Sequence, residues 1–244
     1  GEGDPGRWAA GRARRIRRAG GMMACPRGDE RAGMRAALIA GRRSLPARAV
    51  RELSARIADG LRALDAYRCA GRVMCYAAVR GEVGTEEIIR ECMARGARVA
   101  MPRCDRSTGR VEARWIRDPD ADLRPGLFGI PEPRPWACAE APPGEIELFI
   151  VPGVGFDIWG ARLGWGRGLY DEFLAGAPPS STKVGLAYEM QVAPRVPVRP
   201  GDVPVDAVVT EERAIDCRRI RDLLDRVKRT PPRQGAGGRR YHEP

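Results

Sequence analysis

Residues Ile150–Leu174 read IVPGVGFDIWGARLGWGRGLYDEFL. An apolar run ends in Pro152 and Gly153. Glycines then fall at Gly160, Gly164, Gly166 and Gly168, with Arg162 and Arg167 between them, before Tyr170, Asp171 and a helix-like segment. A buried strand that opens into such a loop and then a helix is suited to phosphate. Glycine lets the backbone come close, successive N–H groups form a concave anion nest, and a helix N-terminus adds positive potential. The loop is neither a P-loop, since no GxxxxGK[ST] occurs, nor a dinucleotide fingerprint, because Leu169 stands where the last glycine of GxGxxG belongs. A Gly-rich turn also has a purely structural reading. The two arginines favour an anion, because guanidinium grips phosphate oxygens in pairs.

Working outward, strands alternate with helices. ELFIV (147–151) leads into the motif, RVMCYAAV (72–79) reads as a buried strand, and the TEEIIRECMARG helix after it takes Thr85 as N-cap and Gly96 as C-cap. ARVAMP follows as the next strand, which predicts a parallel strand–helix–strand crossover. VEARWI, KVGLAYE and DAVVT are further strands, the last of the chain being DAVVT. Residues 117–145 read as a long Pro-rich loop, and a second Pro-rich loop carries Asp202 and Asp206. Before the strands come a helix over 29–44, capped by Asp29, with Met34, Leu38 and Ile39 on its apolar face, and a helix from Pro46 to about Leu64. A terminal helix is expected over Ile215–Val227. The expectation is one α/β domain over 29–228, a mainly parallel or mixed sheet flanked by helices in three Rossmann-like layers. Residues 1–28 read as a disordered basic leader and 229–244 as a disordered basic tail.

The formal charge of +11 suggests nucleic acid at first. Residues 1–25 contribute +4 and 226–244 contribute +5; subtracting both leaves +2 for the rest. The basic character belongs to the ends, and nucleic acid is not the expected partner. Lys183 and Lys228 are the only lysines, so arginine richness is a bias of composition. No run of 18 apolar residues occurs, so no membrane partner is expected. Seven cysteines without CxxC give neither a disulfide framework nor a zinc site, and read as reduced, buried thiols of a cytoplasmic protein. The one histidine, His242, lies in the tail, which excludes Ser-His-Asp and Cys-His chemistry for the domain.

Two carboxylates stand near the phosphate-like loop. Asp171 is either a metal ligand or a helix N-terminal charge, and Asp202 either a metal ligand or a turn former after Pro200 and Gly201. Arg31 and Arg35 share a helical face, and Glu82 sits where a strand meets its loop, where open α/β sheets place ligands.

These segments carry a resemblance to the 5-formyltetrahydrofolate cyclo-ligases, also called 5,10-methenyltetrahydrofolate synthetases, over about Arg31–Glu211. The chain is similar to that family at Arg31–Arg35 (KxxLR), Glu82–Thr85 (EVxT), Gly129–Pro133 (GIxEP), Pro152–Asp171 (PGxxFDxxGxRLGxGxGxYD), Gly185–Gln191 and Asp202–Asp206, followed by Thr210 and Glu211. It departs from the family at Arg31, usually Lys, and at Trp165 and Leu169, often Tyr. The resemblance implies a ligase that uses ATP and Mg²⁺ to close a ring on 5-formyltetrahydrofolate, and a monomer acting on a reduced folate. It implies ATP contacts from Arg31, Ala32, Gly33, Met34 and Arg35 and from Arg162, Leu163, Gly164, Trp165, Gly166, Arg167, Gly168, Leu169 and Tyr170. It further implies folate contacts from Ala77, Glu82 and Trp165 to Leu169, catalysis by Arg162, Arg167 and Tyr170, and Mg²⁺ held by Asp171 and Asp202. Two other readings stay open: a nucleic-acid binder working through its Arg-rich ends, and an ATP-independent enzyme related to sugar-phosphate isomerases or CoA transferases.

Overall fold

The computed structural model describes residues 27–105, 107–166 and 168–229. The expected leader and tail, Arg167, Cys25 and His242 therefore lie outside the described residues.

Three helices come first: α1 (Arg27–Arg43), α2 (Ala47–Arg62) and the short α3 (Asp65–Cys69). Then follow β1 (Arg72–Met74), α4 (Glu86–Ala94), β2 (Arg98–Cys104) and β3 (Val111–Ile116). A Pro-rich stretch holds α5 (Pro119–Asp122), β4 (Leu123–Pro125) and β5 (Pro131–Pro133), and β6 (Leu148–Val151) enters the opening motif. Within the motif are β7 (Gly155–Phe156), β8 (Arg162–Leu163) and α6 (Leu169–Leu174); β9 (Thr182–Leu186), β10 (Ala207–Val209), β11 (Ala214–Asp216) and α7 (Cys217–Arg229) complete the described chain.

The main sheet has the order β11-β10-β9-β6-β1-β2-β3. Pairs β1–β2, β1–β6, β6–β9 and β9–β10 are parallel, while the edge strands β3 and β11 are antiparallel. Numbered along the chain, the five parallel strands run 2-1-3-4-5, a doubly wound order whose switch point falls between β1 and β6. Alternate residues feed two apolar layers. Val73, Val99, Leu148, Ile150 and Val184 pack with Ile57 and Leu61 of α2 and Ile88 of α4. Met74, Ala100, Phe149, Val151 and Val208 pack with Phe173 and Leu174 of α6 and Cys217 of α7. Helices cover both faces, as the three-layer expectation requires.

Several local expectations are corrected. Asp29 lies inside α1, which begins two residues earlier, so it is no N-cap. Thr85 occupies the N-cap position of α4, yet its hydroxyl donates to the Tyr76 carbonyl at 2.6 Å, tying the helix to the β1 connection. Gly96 does end that helix, with φ +84°; its N–H reaches Met93 O and the Ala97 N–H reaches Cys92 O, a Schellman arrangement. The 117–145 segment is a β4–β5 hairpin with helical turns, not a loop. DAVVT is not the last strand, because β11 folds back on β10. Among the cysteines, Cys69 is exposed and Cys104 half-buried; Cys75, Cys92, Cys138 and Cys217 are buried, and all six are free.

Candidate active site

A cleft of about 950 Å³ opens at the switch point. Tyr76 and Ala77 line it from the β1 connection, Pro152 and Gly153 from the end of β6, Arg162 to Asp171 from the Gly-rich motif, and Arg199 to Asp202 from the second Pro-rich loop.

The motif folds differently from a plain strand–loop–helix. Residues 155–163 close the small β7–β8 hairpin, in which Gly155 pairs with Leu163 and Phe156 with Arg162. Its turn is built on Asp157, which is 2 % exposed. One oxygen of Asp157 accepts the N–H groups of Trp159 and Ala161, and the other accepts that of Val196. Gly164, Gly166 and Gly168 then carry the chain to α6. Gly166 (φ +100°) and Gly168 (φ +70°) need the left-handed region, which a side chain resists. Tyr170 and Asp171 fall in the first turn of α6 rather than in the loop.

Arginines hold this loop from below and behind. Arg35 Nε donates to the Gly164 carbonyl at 2.8 Å. Burial and the nearby charges of Arg31 and Arg199 push the Arg35 pKa down, the mark of a cationic cluster short of negative charge. Arg31 Nη1 donates to Asp202 Oδ2 at 2.6 Å and to the Pro197 carbonyl at 2.9 Å. Arg162 Nη2 donates to Asp171 Oδ1 at 2.8 Å, and the same oxygen accepts the Val203 N–H at 3.2 Å. The Pro-rich loop therefore folds back over the motif and sets Asp202 beside Asp171.

The opposite wall is Glu82, 8 % exposed. It follows a turn, Val79 to Glu82, in which Arg80 (φ +53°) and Gly81 (φ +75°) are both left-handed and Glu82 N–H reaches Val79 O at 3.0 Å. Its Oε2 accepts the Val79 N–H at 3.2 Å. Burial pushes the Glu82 carboxyl above its ordinary range; Arg42, the Val79 N–H, Trp165 and Arg80 pull against that. Trp165, half-exposed at the mouth, lies between Arg42 and Arg80, each 5.6 Å from its ring. Burial and the Glu82 charge push the Tyr170 phenol up, so it stays a proton donor at neutral pH.

Of the residues singled out from the sequence, the cleft brings together Arg31, Ala77, Glu82, Arg162, Gly164, Trp165, Gly166, Gly168, Leu169, Tyr170, Asp171 and Asp202. Arg35 supports it through Gly164. It does not gather the side chains of Ala32 and Gly33, which are exposed, nor Met34 and Leu163, which pack together in an apolar cluster with Val154 and Val196. The sequence reading missed Tyr76, Arg80, Arg199 and Arg42. A signal for Arg42 existed: eleven residues after Arg31 and seven after Arg35, it returns to their helical face.

A doubly wound α/β fold whose switch-point cleft pairs arginines and a Gly-rich loop with a buried carboxylate is an enzyme architecture for a phosphate-bearing ligand beside a second, polar one. The chain belongs to the 5-formyltetrahydrofolate cyclo-ligase family, whose model matches residues 27–211. It is 33 % identical over 186 residues to the 5-formyltetrahydrofolate cyclo-ligase of Mycolicibacterium smegmatis, covering 75 % of this chain and 94 % of the relative. The solution structure of the Aquifex aeolicus 5,10-methenyltetrahydrofolate synthetase matches with a TM-score of 0.68 and 30 % identity, over 77 % of this chain and 93 % of that one. A Mycoplasma pneumoniae 5,10-methenyltetrahydrofolate synthetase, 21 % identical, shares the fold with a TM-score of 0.60, over 75 % of this chain and 99 % of that one.

Proposed function

We propose that the cleft carries out ATP-dependent closure of 5-formyltetrahydrofolate to 5,10-methenyltetrahydrofolate, releasing ADP and phosphate. The observation that carries this is the placement of a cationic cluster (Arg31, Arg35, Arg199) and a buried carboxylate (Glu82) on opposite walls of one cleft. The formyl oxygen is a poor leaving group. Transfer of the γ-phosphoryl group onto it lets the neighbouring ring nitrogen attack the formyl carbon, and phosphate then departs with the oxygen. Such a transfer needs positioning and charge neutralisation more than a basic side chain. A described domain without histidine suits it.

In this reading Arg31, Arg162 and Arg167 grip the phosphates, and the backbone at Gly164, Gly166 and Gly168 lies close to the transferred group. Trp165 and Leu169 shape the space beside the formyl group. Glu82 accepts paired N–H bonds from the pterin ring, above Ala77. Tyr170, kept protonated, donates to oxygen.

Mg²⁺ belongs to the proposal, and the residues fit it. Among the described residues, hydrogen bonds fall on Oδ1 of Asp171 and Oδ2 of Asp202, leaving the other oxygen of each for a cation. Mg²⁺ takes one or two carboxylates and completes its shell with phosphate and water; bound there, it would neutralise phosphate charge. No described group of three or more His, Cys, Asp or Glu stands ready as an all-protein cage. Action as a cytoplasmic monomer is also proposed, on the free thiols. No helix among the described residues is long and apolar enough to cross a membrane.

The test is an absorbance assay for the conjugated methenyl product with purified protein. Product that requires both ATP and Mg²⁺ is expected; no product under any metal condition would overturn the reading.

A further inference from the structure

Arg42 closes the last turn of α1 and is 2 % exposed. The phosphate and folate contacts proposed above do not use it. Its Nη1 lies 3.7 Å from Glu82 Oε1 and 3.5 Å from the Gly153 carbonyl, beneath the switch point where the β1 and β6 connections part. Its Nε and Nη2 are buried without a partner. A guanidinium so poorly bonded is costly to bury unless a negative charge faces it, and Glu82 is the carboxylate it faces. The contact is looser than the 2.6 Å and 2.8 Å pairs of Arg31 and Arg162. Arg42 therefore supplies charge to Glu82 without consuming the carboxylate's hydrogen-bonding capacity.

We propose that Arg42 is a positioning residue: from beneath the cleft it keeps Glu82 an ionised carboxylate directed at the cleft, ready to accept the N–H groups of the substrate's ring. The ligand role rests on the pterin contact proposed for Glu82; the Arg42–Glu82 relationship itself does not.

Burial opposes a charge on Glu82, and Arg42 is the foremost influence that favours it. The other groups facing Glu82 cannot take its place. Arg80, on the same connection, is half-exposed and ranks after the Val79 N–H and Trp165. Tyr76, Tyr170 from α6 and Tyr188 from beyond β9 are all pushed up by burial, so they stay neutral phenols near neutral pH.

The experiment is a carbon-detected NMR titration of the Glu82 carboxyl, assigned with Glu82→Gln, in the wild type and in Arg42→Met, Arg42→Gln and Arg42→Lys. Circular dichroism identifies the folded variants. The Glu82 midpoint is expected to rise by about one pH unit or more in the neutral variants, as for loss of an opposite charge within 6 Å, and to return most of the way in Arg42→Lys. The KM for the formyl substrate should rise about tenfold at neutral pH, the free-energy equivalent of one unit, while the KM for ATP holds. The acid limb of kcat/KM should move with the midpoint. An unmoved midpoint in a folded neutral variant, or equal rises in both KM values, would overturn the proposal. Should neither neutral variant fold, the wild-type midpoint decides: below neutrality supports the proposal and above neutrality refutes it. Absence of methenyl product from the wild type would strike the cyclo-ligase reading and leave the titration standing.

Discussion

The Nη1 of Arg31, in the second turn of α1, lies 2.6 Å from Oδ2 of Asp202, 171 residues further along the chain. The neighbouring Val203 N–H continues to Asp171, whose Oδ1 also accepts from Arg162. Arg31, Asp202, Val203, Asp171 and Arg162 thus form one connected line across the cleft. The arginines proposed to hold phosphate are held, before it arrives, by the carboxylates proposed to hold Mg²⁺. A triphosphate competes with those carboxylates for guanidinium, and a cation is what the displaced carboxylates then require.

Truncating one end of that line should be felt in stability. The Arg31 and Asp202 side chains are 8 % and 20 % exposed, so the pair is neither fully buried nor at the surface. Arg31→Ala should cost about 1–3 kcal/mol by urea unfolding, between the values for surface and buried pairs. The double-mutant cycle with Asp202→Ala should show a coupling of about 1 kcal/mol. A coupling of zero would mean the pair contributes nothing in solution.

Arg162→Ala should fold, unfold at a lower temperature, and lose most of its activity. Removing one preorganised group aimed at developing charge costs about 10²–10³ in rate. Here the variant also strands Asp171, because the Arg162 side chain is 4 % exposed and its Nη2 bonds that carboxylate directly. Asp171→Asn in the same background should recover stability without recovering turnover. Wild-type turnover in Arg162→Ala would remove the phosphate role.

Two glycines of the motif should respond very differently to alanine. Gly168 has φ +70°, yet a Cβ there meets nothing within 4 Å. Gly168→Ala should therefore cost only the backbone penalty, about 1–2 kcal/mol. Gly160 has φ +85°, and a Cβ would fall 2.2 Å from the Val205 carbonyl oxygen, an atom fixed by its hydrogen bond from Gly160's neighbourhood on the same loop. Gly160→Ala should prevent the soluble folded state or lower the melting temperature far more than Gly168→Ala. Equal melting temperatures would refute this.

The sequence made the central strand, the parallel β1–β2 unit and the paired face of Arg31 and Arg35 readable, because each spans enough residues to show its period. Asp202 was legible only as one of two readings, since no local pattern says where a Pro-rich loop returns. β7, β8 and β11 were not legible: two or three residues cannot display alternation, and their pairing is set by the tertiary fold. Thr85 misled because a threonine before a helix signals a cap, and the competing Tyr76 carbonyl comes from nine residues upstream. Arg42 was hidden in a basic GRRS segment that reads as solvated, although the structure buries that guanidinium and leaves the next residue, Arg43, exposed.

The Glu82 carboxyl makes a prediction about stability that runs against its proposed use. Burial raises its folded-state pKa above the ordinary 4.5 of an unfolded glutamate. The native state therefore binds the proton more tightly than the unfolded chain. The stability this gives is fully present below pH 4.5 and is lost as pH rises through the raised folded value. Glu82→Gln carries no such titration. Whatever offset the substitution introduces by leaving Arg42 unpaired, the unfolding free energy of the variant minus that of the wild type should climb across that window and then level off. Urea unfolding at a series of pH values reads this directly. A difference that falls with pH would mean that Arg42 and the Val79 N–H outweigh burial, and that the folded pKa is depressed. A rising difference, together with a loss of folate affinity in Glu82→Gln at neutral pH, would show a carboxylate kept charged at a cost to the fold because the ligand requires it.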